Sequence, residues 1–142
     1  MSASYTLNII IRPLSRGKNM RKLLIAVLIA NALFEGLVGA LLVISPVSAV
    51  PDGNAAGIAF AVNYGFAALT IASIVFWAWR EKDNLQTMGV VLGILSTFHS
   101  GLTIATAMTI SAESGAAPTI VHGIMAVLCW FLFFNRKKWC TG

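Results

Sequence analysis

Glu35, His99 and His122 have the most chemistry to offer, because each falls inside a long apolar run where an ionisable group is out of place. A charged side chain at mid-membrane costs from about 2.5 to more than about 10 kcal/mol, so such a group must be neutral, paired or hydrated. Asn31 lies one helical turn before Glu35 and shares its face. Ser96, His99, Thr103 and Thr106 recur at spacings of three and four, building a second polar face. Asn63 falls in register with Ala67 and Thr70, and His122 with Met125 and Cys129.

Depth decides which of these faces can meet. Counted at about 1.5 Å per residue from one membrane face, Glu35 and His99 lie about 15 Å deep, Asn63 about 12 Å and His122 about 8 Å. The pattern predicts a pocket for a ligand or a proton, with Glu35 and His99 as its central pair and Asn31, Asn63, Thr103 and His122 around it. Within such a pair His99⁺ would favour ionised Glu35, whereas burial favours the neutral form of both. The competing reading is a purely structural pair that holds two helices together. A haem between His99 and His122 is disfavoured by the depth offset of about 7 Å. A two-histidine, one-carboxylate metal site lacks any short His or Cys spacing to support it. No glycine-rich phosphate loop, nucleophilic serine motif or CxxC pair is present, so the chain reads as non-enzymatic.

The elements that position these residues are four apolar runs, about Leu23–Ser45, Ala55–Trp79, Leu85–Ile110 and Ala116–Phe134. Each supplies the roughly 20 residues needed to cross about 30 Å of hydrocarbon. Backbone groups in lipid must be satisfied internally, and the runs lack strict alternation, so they should be α-helices. With 58% hydrophobic and 11% charged residues, the 142-residue chain cannot cover its apolar surface by itself. The fold class is therefore all-α, an integral membrane four-transmembrane-helix bundle. Apolar sequence continues past the signal-like stretch around Ala30-Asn31-Ala32 to Pro46, so the first run reads as a retained span.

All ten Lys and Arg residues collect in three places: Arg12, Arg16, Lys18, Arg21 and Lys22 before the first run, Arg80 and Lys82 between the second and third, and Arg136, Lys137 and Lys138 after the fourth. The loops around Asp52 and Glu113 carry acid only. Short basic loops stay cytoplasmic, which places both termini in the cytoplasm, with a bacterial inner membrane as the best fit. Residues 1–22 read as a basic cytoplasmic arm, 23–135 as the membrane domain and 136–142 as a basic cytoplasmic tail. The net charge of +5 is spent beside helix ends, where anionic lipid attracts it, and does not point to nucleic acid. Trp77, Trp79, Trp130 and Trp139 crowd the same side, as interfacial indoles do. Cys129 and Cys140 fall on opposite sides of a membrane boundary and read as separate thiols.

Small residues recur every four positions, as Gly57, Ala61 and Gly65, as Gly89, Gly93, Thr97, Gly101 and Ala105, and as Ala32, Gly36 and Ala40. Such stripes let backbones approach where lipid supplies little hydrophobic force. Gly57, Gly65, Gly89, Gly93 and Gly101 are accordingly expected at helix contacts.

A first helix carrying Ala32-Leu33-Phe34-Glu35-Gly36 and ending at Pro46, glycine-rich second and third helices, and Trp79-Arg80 closing the second resemble the DoxX-like membrane proteins over residues 23–135. That resemblance implies a small four-helix membrane protein. It also implies a subunit role, since some members accompany quinone-linked oxidation, but it assigns no catalytic residue. The expected function is a non-enzymatic accessory or interaction subunit that binds lipid or a hydrophobic small molecule such as a quinone. Its partners would be the bilayer and either other membrane subunits or a second copy. The alternative is a small proton-coupled transporter, or a quinone- or haem-linked redox protein, using Glu35 and His99.

Overall fold

The computed structural model describes residues 3–50, 53–110 and 115–140, with side chains from residue 17 onward. Arg12, Arg16, Asp52 and Glu113, used above to orient the chain, lie outside the described side chains. The described residues are helical without strands: α1 (Ala3–Ile44), the single turn α2 (Pro46–Ala49), α3 (Ala55–Ala78), α4 (Leu85–Met108), α5 (Ala117–Asn135) and a 3-10 turn at Arg136–Lys138. Among them, four helical segments are long and apolar enough to cross a membrane: Gly17–Ile44, Ala55–Ala78, Leu85–Met108 and Ala117–Lys138. This is the all-α, four-span class that the apolar runs predict. One difference is that α1 begins well before the arm's expected end, so 42 residues form one helix, roughly 63 Å long.

Helix boundaries follow from local chemistry. Asn54 accepts a hydrogen bond from the Gly57 amide at 2.9 Å, and Asn84 accepts from the Gln86 and Thr87 amides at 3.0 Å each. Each asparagine thereby satisfies amides that would otherwise have no partner at a helix start. Pro46 ends α1 and opens α2, where its missing N–H is harmless. Gly115 takes a left-handed φ of 64° just before α5, a conformation that favours glycine over any residue with a Cβ.

The chain divides into two compact units. Residues 28–80 form one of them, in which α3 turns a face of Ala61, Gly65, Ala68, Ala72, Val75 and Ala78 inward. Two helix backbones approach closely here. A Cβ added at Gly39 would lie 2.8 Å from the Gly65 carbonyl oxygen, and one at Gly65 would lie 3.0 Å from the Gly39 carbonyl oxygen. Gly36 faces Ala72 at an ordinary 3.8 Å. Gly57, expected at a helix contact, meets only its own cap residue Asn54.

The second unit comprises the chain up to Val27 together with Glu81 onward, and its spine is the antiparallel pair α4 and α5. Met88, Leu92, Leu95, Ser96 and His99 are buried on α4, and His122, Met125, Ala126, Cys129 and Leu132 on α5. Gly89 and Gly93 act as the stripe predicts, leaving room for the Arg136 guanidinium and the Phe133 ring, at 3.3 and 3.7 Å from a notional Cβ. Gly101 does not, since nothing lies within 4 Å of its notional Cβ. A four-residue stripe drifts about 40° per step on a helix of 3.6 residues per turn, so by Gly101 it has rotated about 120° away from α5.

One end of this unit gathers the basic residues. Arg21 pairs with Asp83 at 2.7 Å, both side chains being nearly half exposed. Arg136 donates to the Phe133 carbonyl at 2.6 Å and lies over the Phe133 ring, closing the end of α5. Both cysteines are free thiols. Burial, reinforced by the Asp83 carboxylate and opposed by Arg136, pushes the Cys140 thiol up to about 11. The thiolate is the reactive form, so maleimide labelling of Cys140 should be slow near neutral pH and rise about tenfold per pH unit between roughly 8 and 10. Asp83→Asn should move that profile to lower pH. A rate already level by about pH 9, read site by site by mass spectrometry, would contradict this half-buried placement beside Asp83.

Candidate functional site

The polar residues on α4 and α5 are placed by the register of the two helices. Gly123 faces Thr103, the Thr119 hydroxyl donates to that of Thr106 at 3.0 Å, and the Trp130 indole donates to the Ser100 hydroxyl at 3.1 Å. That register leaves His99 and His122 about one turn apart along the helix axes, in keeping with the offset counted from the sequence. The rings nevertheless meet, with the two Nδ1 atoms 3.0 Å apart, centroids at 5.3 Å and planes inclined by 32°. An imidazole reaches several ångströms from its Cα, and two such side chains close a gap that an axial count leaves open.

Both histidines are buried, at 0% and 4% exposure. Phe98 packs edge-on against His99, and the Thr103 hydroxyl donates to the His99 carbonyl at 2.7 Å. Two Nδ1 atoms at hydrogen-bond distance impose opposite tautomers, because one must donate and the other accept. The donating ring then carries a lone pair on Nε2, and the accepting ring carries N–H there. A pair of this kind can take up a proton on one ring and release one from the other.

In the unit of residues 28–80, α1 buries Asn31, Glu35 and Gly39 along one edge, and the Asn31 amide donates to the Ile71 carbonyl at a long 3.4 Å. Asn31 and Glu35 thus share a face, as their spacing predicts. Asn63 departs from expectation, because it lies on the exposed side of α3 and not toward the interior. The buried side of α3 is set by its smallest residues, Ala61, Gly65, Ala68 and Ala72, and Asn63 points about 160° from Gly65 and Ala61 on average.

The same unit has a cleft of about 400 Å³ lined by Val75, Phe76, Trp79 and Arg80. Apolar and aromatic walls with one cation at the rim suit an amphiphile with an apolar tail and a polar or anionic head. Its signal in the sequence is Trp79-Arg80 at the end of an apolar run, a pairing that also suits an interfacial anchor.

No protein-family model, curated protein or solved structure matches this chain.

Proposed function

We propose that this protein is a non-enzymatic, membrane-embedded accessory subunit that binds a lipid or a hydrophobic small molecule such as a quinone. The cleft at Val75, Phe76, Trp79 and Arg80 carries this reading: its volume lies within the range of small-molecule sites, about 300–1,000 Å³. Its place at the basic end of α3 favours an anionic headgroup on Arg80, with the tail along Phe76. The DoxX-like character of residues 23–135 is in keeping with a subunit role, as are connecting segments too short to form a catalytic domain of their own. Purification in mild detergent, followed by lipid extraction and native mass spectrometry, tests it. About one retained phospholipid or quinone per chain is expected. Arg80→Gln should lower retention of an anionic lipid about fivefold, the equivalent of about 1 kcal/mol for one cation near an anionic headgroup. Recovery of a bare chain without lipid, quinone or partner removes the proposal.

A second reading is favoured by the paired imidazoles. His99 and His122 joined through Nδ1 supply the donor and acceptor of a proton relay, as a small proton-coupled carrier requires. Reconstituted vesicles loaded with a pH-sensitive dye distinguish it. Proton flux that persists in both His99→Leu and His122→Leu would exclude the pair as its route.

A further inference from the structure

We infer that α3 carries a self-association surface centred on Asn63, and that its occupant is the same surface of a second copy of this chain. The inference does not rest on lipid binding or on proton transfer. Asn63 is exposed, makes no hydrogen bond to any described residue, and stands eight residues into α3, about 12 Å from that helix's start. Trp79 and Arg80 mark the opposite interface about 24 Å further on, so the Asn63 amide lies within the hydrocarbon. Lipid tails offer it neither donor nor acceptor, so a bare amide at this depth is unfavourable and calls for another helix.

The surroundings of Asn63 fit such a helix. Ala59 and Ala67 flank it one turn away on either side, within about 40° of its direction, with Thr70 in the same stripe. All are exposed. Phe60 and Phe66, exposed at 72% and 58%, stand about 60° to either side as the walls of a shallow trough. Small residues at the centre let a second backbone approach, and the aromatic rims bury area around the amide.

Symmetry selects the occupant. Two copies inserted in the same direction present Asn63 at the same depth, and a two-fold axis along the membrane normal brings the two amides together. An asparagine side chain both donates and accepts, so each Nδ2–H reaches the other copy's Oδ1 and the pair is self-complementary. A partner of different sequence would need its own polar residue at the same depth.

The test is cysteine cross-linking in native membranes, in a chain carrying Cys129→Ala and Cys140→Ser. Ala59→Cys and Ala67→Cys should yield a product of twice the chain mass, whereas Val90→Cys, exposed on α4, should not. Adding Asn63→Leu should reduce the Ala67→Cys dimer about fivefold or more, while Asn63→Gln should preserve most of it, in line with measured polar helix contacts in membranes. Asn63→Leu makes an exposed face more apolar, so an unchanged thermal midpoint in detergent would show that the chain still folds. Equal cross-linking at Val90, a dimer indifferent to Asn63→Leu, or a product of another mass at Ala67 would each overturn the inference.

Discussion

Gly39→Val should destabilise the protein by about 3 kcal/mol or more, and Gly65→Val by a similar amount, among the largest effects expected of any single side-chain addition in this chain. At both positions a Cβ would come within about 3 Å of the opposing backbone carbonyl, and for Gly39 also of the Leu69 amide nitrogen at 3.0 Å. A flexible side chain can yield by rotating, but a helix backbone yields only by moving the whole helix. Lipid cannot restore the lost packing by hydrophobic force, so the two helices must separate along their contact. Gly101→Ala is the matched control, since open space surrounds that position. It should be neutral or stabilising by up to about 1 kcal/mol. Reversible unfolding in mixed micelles checks all three, and a Gly39→Val protein as stable as the parent would show that the helices do not approach so closely.

Replacing both histidines of the pair should cost less than the two single replacements added together. His99→Leu removes the partner of the buried His122 Nδ1, and His122→Leu does the same to His99, so each single change should lose about 1–3 kcal/mol. The double variant removes both Nδ1 atoms of the contact together and substitutes side chains of comparable bulk. Its loss should fall short of the sum of the singles by about 1 kcal/mol or more, a coupling expected of residues in contact. Additivity within about 0.5 kcal/mol, measured by the same unfolding assay, would mean that the rings do not depend on each other.

Much of this molecule was legible in its residues because the membrane leaves so few structural choices. The observed starts of α3 and α4 coincide with the expected Ala55 and Leu85, where asparagine caps meet apolar runs, and Pro46 marks the end of α1. Contact points were harder to read. Span 1 offers Ala32, Gly36 and Ala40 as an even stripe, yet the tightest approach is made by Gly39, because a helix crossing is a local event whose position depends on the partner. The count along helix axes set His122 in one pocket with His99 at an offset of about 7 Å, and it is side-chain reach that closes this offset to a direct contact of the two rings. Asn63 was misread for another reason. Polar residues are expected to face inward, but on α3 the small residues took the inner face and left the amide outside.

The hydroxyls of α4 have a consequence for how this chain enters a membrane. Ser96, Thr97, Thr103 and Thr106, with Thr109 at the helix's C-cap, each donate to the carbonyl four residues earlier, at 2.6 to 3.2 Å. By composition α4 is the least hydropathic of the four spans. These hydroxyls, though, are solvated by their own helix, so the polarity that lipid meets is smaller than the residue types suggest. That self-solvation exists only once the helix has formed, because an extended chain offers no carbonyl at the required position. Folding into a helix must therefore come before, or accompany, the transfer of α4 from water to lipid, and this span is the one whose insertion is most tightly tied to the formation of its own secondary structure.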